Sequence, residues 1–317
     1  IEISRVLDKI KPDFVVVYAD RFEGFSAVIA ATQMNIPTVH VEGGDLTEGG
    51  ALDDSVRHAM TKLSHLHMTT NQEAAQRILL MGEEPWRVHV VGLPTLDLIQ
   101  AGDYASETDI LRDLCIDPEK PILVFTQHSV TTEYKQAKEQ VQKSLKAIEH
   151  FLGKNIQCIM TYPNNDVGSA EIVKELDDFL RVHGSSYVGL SLHRSLGRFR
   201  YHGLLALAKN KNVRIACVGN SSSGVKETGL FGCPTLNIGS RQNGRLRSEN
   251  VLDCSNDTDE IISGINKCLF NEDFRNLCMK TDTPYGIGDA GLKIAKCLAE
   301  INIDHRLLLK KMTIKTA

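Results

Sequence analysis

The sequence predicts an α/β protein made of two successive domains, each a parallel sheet covered by helices. Three observations carry this. Short β-rich apolar runs alternate with longer segments of 3.6-residue period along most of the chain. The apolar runs are nearly continuous, as in strands buried on both faces. A polar, irregular stretch at 100–120, containing Pro118 and followed by Pro121, separates a first series of elements from a second.

In order, residues 1–10 read as the end of a helix, and FVVVYA (14–19) is the first strand, following Lys11-Pro12-Asp13. A helix over 23–34 stops before Asn35-Ile36-Pro37, and TVHVEG (38–43) is the next strand. A polar, glycine-rich loop runs from Gly43 to Leu52 into a helix over 53–62. HLHMTT (65–70) is a strand, Asn71 caps a helix reaching Met81, and VHVVG (88–92) is a strand closed by Pro94. The second series has strands at 122–127, 156–162, 186–191, 214–220 and 235–239. Helices at 133–152, 168–181, 199–209 and 222–231 alternate with them, and helices at 257–270 and 289–301 finish the fold.

The expected division is a domain at 1–100 and a second at 101–302, whose last helix can pack back on the first. The segment 303–317 carries five basic groups counting His305, shows no partner pattern and reads as a solvated tail. Two such series imply Rossmann-like halves facing a cleft, with ligands beyond the carboxyl ends of the strands. Only four strands precede the linker, where such a half often has six, and the chain opens on Ile1 rather than Met. The expectation is therefore that the N-terminal half lacks its first strands.

Length and composition agree. At 317 residues the chain exceeds one typical core, and 42% hydrophobic with 24% charged residues excludes disordered and fibrous classes. A net charge of −4 gives no basic footprint for nucleic acid. No apolar run approaches the roughly 20 residues that span a bilayer, and nothing suggests export. The eight cysteines contain no CxxC pair, and several lie in apolar runs, as Cys158 in IQCIM and Cys217 in IACVG. They read as buried reduced thiols of a cytoplasmic protein. His65 and His67 alternate on one strand with no third ligand at suitable spacing, so no metal site is expected.

Chemistry-bearing residues sit at strand ends. Asp20 ends the first strand and Glu42 the second, while Asp53 and Asp54 open the helix that carries Ser55, Arg57 and His58. Asp20 and Asp53 could each be simple helix caps, worth about 1 kcal/mol. Glu42 is harder to dismiss, because a carboxylate closing an apolar strand is costly unless solvated or used. His128 ends the strand at 122–127 beside a Ser/Thr-rich loop. GNSSSGVKE (219–227) follows an apolar strand and opens a helix, where small residues and free N–H groups favour a phosphate. Glu227 is placed to reach a ribose hydroxyl. The segment is neither a Walker A loop nor a GxGxxG fingerprint. Arg241 and Arg245, in IGSRQNGR, could clamp a diphosphate.

The segments ADRFEG (19–24), HVEGGDLTEGGALDDSVRHAMTKLSHLH (40–67), QHSVTTE (127–133), YPNNDVGS (162–169), GNSSSGVKETGLFGCPTLNIGSRQNGR (219–245) and ENVL (249–252) resemble the hydrolysing UDP-N-acetylglucosamine 2-epimerases. That family includes bacterial sialic-acid enzymes and the epimerase half of the animal bifunctional epimerase/kinase. The resemblance covers about residues 5–302 and implies the two-Rossmann, GT-B-like architecture. It implies that Asp20, Glu42 and Asp53 are catalytic carboxylates, with Asp54 the alternative to Asp53, and that His128 is an active-site histidine. It places Asn220, Ser221, Ser222, Gly224 and Glu227 in the nucleotide segment and Arg241 on the phosphates, with Arg245 and Arg57 counted as substrate-binding. Asn164 and Asp166 match a cleft loop.

The implied reaction converts UDP-N-acetylglucosamine and water to N-acetylmannosamine and UDP, the first step of sialic acid biosynthesis. It needs no metal or redox cofactor. The implied partners are a UDP-sugar and further copies of the chain in a dimer or tetramer, with no nucleic acid and no membrane. Alternatives left open are a non-hydrolysing epimerase, an epimerase of a UDP-diacetamido sugar, a GT-B glycosyltransferase, and a truncated UDP-sugar-binding remnant without activity.

Overall fold

The computed structural model describes residues 1–47 and 51–313. The middle of the glycine-rich loop, 48–50, and the last four residues, 314–317, lie outside the described residues. The chain forms two compact units: one from 1–47, 51–97 and 285 onward, the other from 98–284.

The first unit holds four parallel strands in sequential order: β1 (Val15–Tyr18), β2 (Thr38–Val41), β3 (Leu66–Thr69) and β4 (Val88–Val90). β2 and β3 are buried along their whole length, His40 and His67 included. β1 is an edge strand with Val16 and Tyr18 exposed. Val17, Val28 and Met60 form one core of the unit, and Val39, Val41, Leu66, Met68 and Val91 another.

The second unit has six parallel strands: β5 (Ile122–Thr126), β6 (Gln157–Thr161), β7 (Leu190–His193), β8 (Ile215–Gly219), β9 (Thr235–Ile238) and β10 (Val251–Cys254). Their spatial order, β10-β9-β8-β5-β6-β7, is the doubly wound order of a dinucleotide-binding half. It reverses direction between β5 and β8, where such sheets take their ligands. The Ala137–Leu152 helix supplies much of this unit's core through Val141, Leu145, Ile148 and Phe151, packed on Leu123 and Phe125 of β5.

Several expectations are corrected. The strand placed at 186–191 lies at Leu190–His193: Val188 is 95% exposed and Gly189 turns the chain with φ +103°. The stretch 100–120 contains a helix, Glu107–Asp113, whose cap Ser106 accepts from the Asp109 amide. β10 and the Glu272–Cys278 helix were not anticipated, and the helix expected at 222–231 is a five-residue turn, Ser222–Lys226, followed by a 3-10 turn at Thr228–Phe231.

The boundary at 302 and, over its described part 303–313, the solvated tail are also corrected. Leu307 is buried in the first unit's core beside Ile294, Leu298 and Ile301. The fully buried Arg87 donates to the carbonyls of Arg306 (2.7 Å), Leu307 (2.8 Å) and Leu309 (3.1 Å). Lys310 Nζ caps the end of the Ala51–Leu63 helix by donating to the carbonyls of Lys62 (2.8 Å) and Ser64 (2.5 Å), and it pairs with the buried Glu83 at 2.7 Å. Lys62 and His67 also donate to Glu83. These donors hold its carboxyl down at about 2, although burial alone would raise it. Of the segment's basic groups, Lys310 is thus a hydrogen-bonding anchor, and Arg306 lies over the Trp86 ring at 4.5 Å.

Candidate functional site

In the first unit both candidate strand ends are bent. Ala19 (φ +58°) follows β1 and Glu42 (φ +68°) follows β2, and neither is glycine. Such left-handed residues are strained and persist only where the surroundings hold them. Here the holding bonds are visible: the Ala19 amide donates to Val41 O and the Glu42 amide to Met68 O, each at 2.9 Å. His40, fully buried in β2, donates from Nε2 to Ala19 O (2.7 Å) and accepts at Nδ1 from the Thr61 hydroxyl (3.1 Å). Burial, reinforced by His67 and Arg57, lowers its pKa to about 4, so the imidazole is neutral.

Arg57 organises the acidic groups. Its guanidinium is 1% exposed and forms ion pairs with Asp20 and with Asp54. It also donates to Asp45 O (2.8 Å) and Thr47 Oγ1 (3.2 Å). Asp54 in turn accepts from the Thr47 amide at 3.0 and 3.2 Å, tying the described start of the glycine-rich loop to the helix. Burial opposes the charge on Arg57, but Asp20, Asp54 and Asp45 outweigh it and raise its pKa. The simple capping roles fall away. The Phe22–Gln33 helix starts after Arg21 with no side-chain cap, and the next helix already begins at Ala51, so Asp53 and Asp54 lie in its first turn. Of these two, Asp54 is the one joined through Arg57 to Asp20.

In the second unit the expected residues gather at the switch point between β5 and β8. β8 ends at Gly219 (φ +128°), where a Cβ would lie 1.9 Å from Thr126 O of β5, so only glycine allows this approach. The Asn220 side chain then spans the two strand ends: Oδ1 accepts from the His128 amide (2.7 Å) and Nδ2 donates to His128 O (2.9 Å). Asn220 O accepts from Arg241 (3.1 Å) and Gln242 (2.7 Å). Asn164 Nδ2 donates to Asp166 (2.7 Å), which lies 3.7 Å from Arg241.

His128 Nδ1 lies 3.2 Å from Asn164 Oδ1 and accepts from the Asn164 amide at 3.0 Å. The amide can only donate, so the ring proton sits on Nε2. Burial and the neighbouring Arg241 push the His128 pKa down to about 3. His128 is therefore a neutral hydrogen-bond donor, not a cation.

The Ser221–Glu227 segment is held from behind. Ser221 Oγ lies 3.0 Å from Ser223 Oγ, which lies 2.9 Å from the hydroxyl of Tyr201. Glu227 does not sit within a long helix as expected; its Oε2 is 2.9 Å from His202 Nε2. Arg245 donates to Gln242 Oε1 at 2.5 Å, which holds it along its own loop.

A family model described as UDP-N-acetylglucosamine 2-epimerase matches residues 1–299. The chain belongs to the UDP-N-acetylglucosamine 2-epimerase family. It is 33% identical over 302 residues to the GDP/UDP-N,N'-diacetylbacillosamine 2-epimerase (hydrolyzing) of Campylobacter jejuni, covering 95% of this chain and 75% of that one. It is 32% identical over 264 residues to the UDP-N-acetylglucosamine 2-epimerase of Neisseria meningitidis, covering 83% and 65%, and 32% identical over 307 residues to the UDP-N,N'-diacetylbacillosamine 2-epimerase (hydrolyzing) of Legionella pneumophila, covering 97% and 76%. The chain thus spans two thirds to three quarters of these relatives. Its fold matches the crystal structure of the Neisseria meningitidis UDP-GlcNAc 2-epimerase bound to UDP-GlcNAc with a TM-score of 0.76 at 19% identity, over 95% of this chain and 80% of that one. It is the two-domain, GT-B-like α/β fold of these epimerases.

Within this family member the structure joins Asp20, Arg57 and Asp54 in one unit, and His128, Asn164, Asp166, Asn220 and Arg241 in the other. Glu42 shares the electrostatic surroundings of His40 with Arg57. Sequence reasoning missed His40, Gln242, Tyr201 and His202. Asp54 and Arg57 are spaced i, i+3 on one helix, a signal that was available. His202 lies 25 residues before Glu227, with no local pattern to betray it. Among the described residues no group of three or more His, Cys, Asp or Glu is arranged to hold a metal ion, and no helix is long and apolar enough to cross a membrane. The eight cysteines are free thiols, and burial pushes that of Cys158 up to about 12.

Proposed function

We propose that the chain carries out hydrolysing epimerisation of UDP-N-acetylglucosamine to N-acetylmannosamine and UDP. The observation that carries the reading is the ion-paired Asp20–Arg57–Asp54 group, with Asp20 and Glu42 following neighbouring strands, in a member of this family. The C2 hydrogen of the sugar is only weakly acidic, so a positioned carboxylate must remove it as the C1–O bond to UDP breaks. The product is a 2-acetamidoglucal. Water then adds across the double bond: hydroxide to C1, and a proton to C2 from the opposite face to the one lost. The sequence is redox-neutral. Asp20, Glu42 and one of Asp53 or Asp54 supply the base and acid, and the Asp54–Arg57 pairing favours Asp54. In the other unit, Arg241 and the Asn220–Gly224 segment receive the diphosphate charge, the kind of fixed electrostatic aid that often dominates catalysis, while His128 donates from Nε2.

A second reading has its own support: the Campylobacter and Legionella relatives are named for diacetylbacillosamine. Incubation with UDP-N-acetylglucosamine and with UDP-N,N'-diacetylbacillosamine in D2O, followed by NMR, decides between them. The expected outcome is free N-acetylmannosamine carrying one deuterium at C2, plus UDP. A product still attached to UDP would point to the non-hydrolysing reaction, and absence of C2 deuterium would remove the elimination mechanism.

In the same assay Asp20→Asn and Glu42→Gln are each expected to lower turnover by about two orders of magnitude while UDP binding by calorimetry persists. Near-normal turnover of either variant would exclude that residue from proton transfer.

A further inference from the structure

We propose that His202 is a positioning residue for nucleotide recognition: it fixes one oxygen of Glu227 so that the other is presented to the vicinal hydroxyls of a nucleoside ribose. The proposal rests on the reading of 219–227 as a nucleotide segment.

His202 lies on the Gly197–Ala206 helix, and its side chain is 2% exposed. Nothing about packing requires histidine there. Its ring lies against Phe231, 5.6 Å between centroids, where an apolar side chain would serve equally well. Its Nδ1 is buried with no hydrogen-bond partner, a destabilising defect. A buried polar ring with one unsatisfied nitrogen calls for a compensating role, and the other nitrogen has one. Nε2 lies 2.9 Å from Glu227 Oε2. A carboxylate accepts, so Nε2 carries the proton and donates.

The carboxylate is thereby divided. Oε2 faces inward onto His202, and the side chain keeps 18% of its surface exposed. Among the described residues no protein group bonds to Oε1. A carboxylate with one oxygen pinned and the other free is pre-organised to accept two adjacent hydroxyls. Left unpinned, it would lose part of its binding contribution in being ordered.

The pin is itself anchored. At Gly203, the next residue, a Cβ would come within 2.6 Å of Ala105 O, so this helix is seated closely against its neighbour. The adjacent Tyr201 grips Ser223, which contacts Ser221. Two consecutive residues of one helix therefore hold both ends of the 221–227 segment.

The test is a ligand comparison by calorimetry on the full chain, with UDP and 2',3'-dideoxy-UDP as probes. Wild type is expected to prefer UDP. His202→Leu is expected to weaken UDP by about tenfold, the loss of one charge-assisted hydrogen bond, while leaving dideoxy-UDP within twofold. His202→Gln, whose amide nitrogen can reach the place of Nε2, should restore the preference. In a Glu227→Gln background, His202→Leu should have no further ribose-specific effect. Equal weakening of both ligands by His202→Leu would show a merely structural role and overturn the inference, as would an unchanged preference for UDP. Should His202→Leu fail to fold, a His202→Gln variant that binds dideoxy-UDP normally but has lost the preference for UDP would overturn it too. A wild type that does not distinguish UDP from dideoxy-UDP would overturn the ribose reading of Glu227 itself.

Discussion

Arg57→Met is expected to destabilise the protein by about 3–5 kcal/mol, the usual consequence of removing one partner from a buried ion-pair group, and to abolish turnover. The guanidinium is almost wholly buried and is the cation shared by Asp20 and Asp54. Without it the two carboxylates lose the cation they share. The Thr47 hydroxyl and the Asp45 carbonyl would lose their donor as well. Arg57→Lys keeps the charge but not the planar fork, which here serves four acceptors, so it should recover only part of the stability. Urea unfolding followed by circular dichroism measures the first effect and product formation the second. A methionine variant within 1 kcal/mol of wild type would mean that the ion pairs contribute nothing net.

Acidification is expected to have an effect of comparable size. Burial lowers the pKa values of His40, His65 and His67 to about 4 from 6.5, with Lys310 and Arg87 adding to the shift at the last two. All three are neutral in the folded state at pH 7. Their folded values are depressed, so the unfolded chain binds protons first as pH falls below 6.5. Stability is therefore whole above about 6.5 and is lost down to about 4. Each histidine accounts for a loss of about 2 kcal/mol between pH 7 and pH 5. Three together approach the entire stability of an ordinary domain, about 5–15 kcal/mol. Glu83, held at about 2, adds a further loss below 4.5. Urea midpoints at pH 7.5, 6 and 5 should fall steeply. A flat profile would show that these rings are already charged, or are hydrated, in the native protein.

The parts of the fold that could be read from sequence are those whose environment is uniform. β5 and β8 are buried at every position, so ILVFT and IACVG look like nothing else. β10 lies at the sheet edge with three half-buried residues and one exposed, and VLDC has no period to detect. In SYVGLS the apolar side chains mislead, because the turn at Gly189 separates the exposed Val188 from the strand proper. The C-terminal segment misleads for another reason. Besides Leu307, backbone groups, the Lys310 head group and the Thr313 hydroxyl hold it, interactions that leave no hydrophobic pattern.

The candidate site divides in the same way. Strand-end logic finds Asp20, Glu42 and His128, because polarity at the close of an apolar run is visible in one dimension. The partners that hold them, Arg57 paired with the Asp20 carboxylate and Asn220 bonded to the His128 backbone, come from distant segments, and only the folded chain shows them paired.

The first unit is assembled from both ends of the sequence, whereas the second is a single stretch between them. During synthesis the residues up to 97 must wait for more than two hundred further residues before Leu307 and Lys310 arrive to close their core, while the intervening stretch can reach its native form as soon as it is made. The unit carrying Asp20, Arg57 and Asp54 is thus completed last, and a ribosome that stalls late would release a finished second unit joined to an open, aggregation-prone first unit.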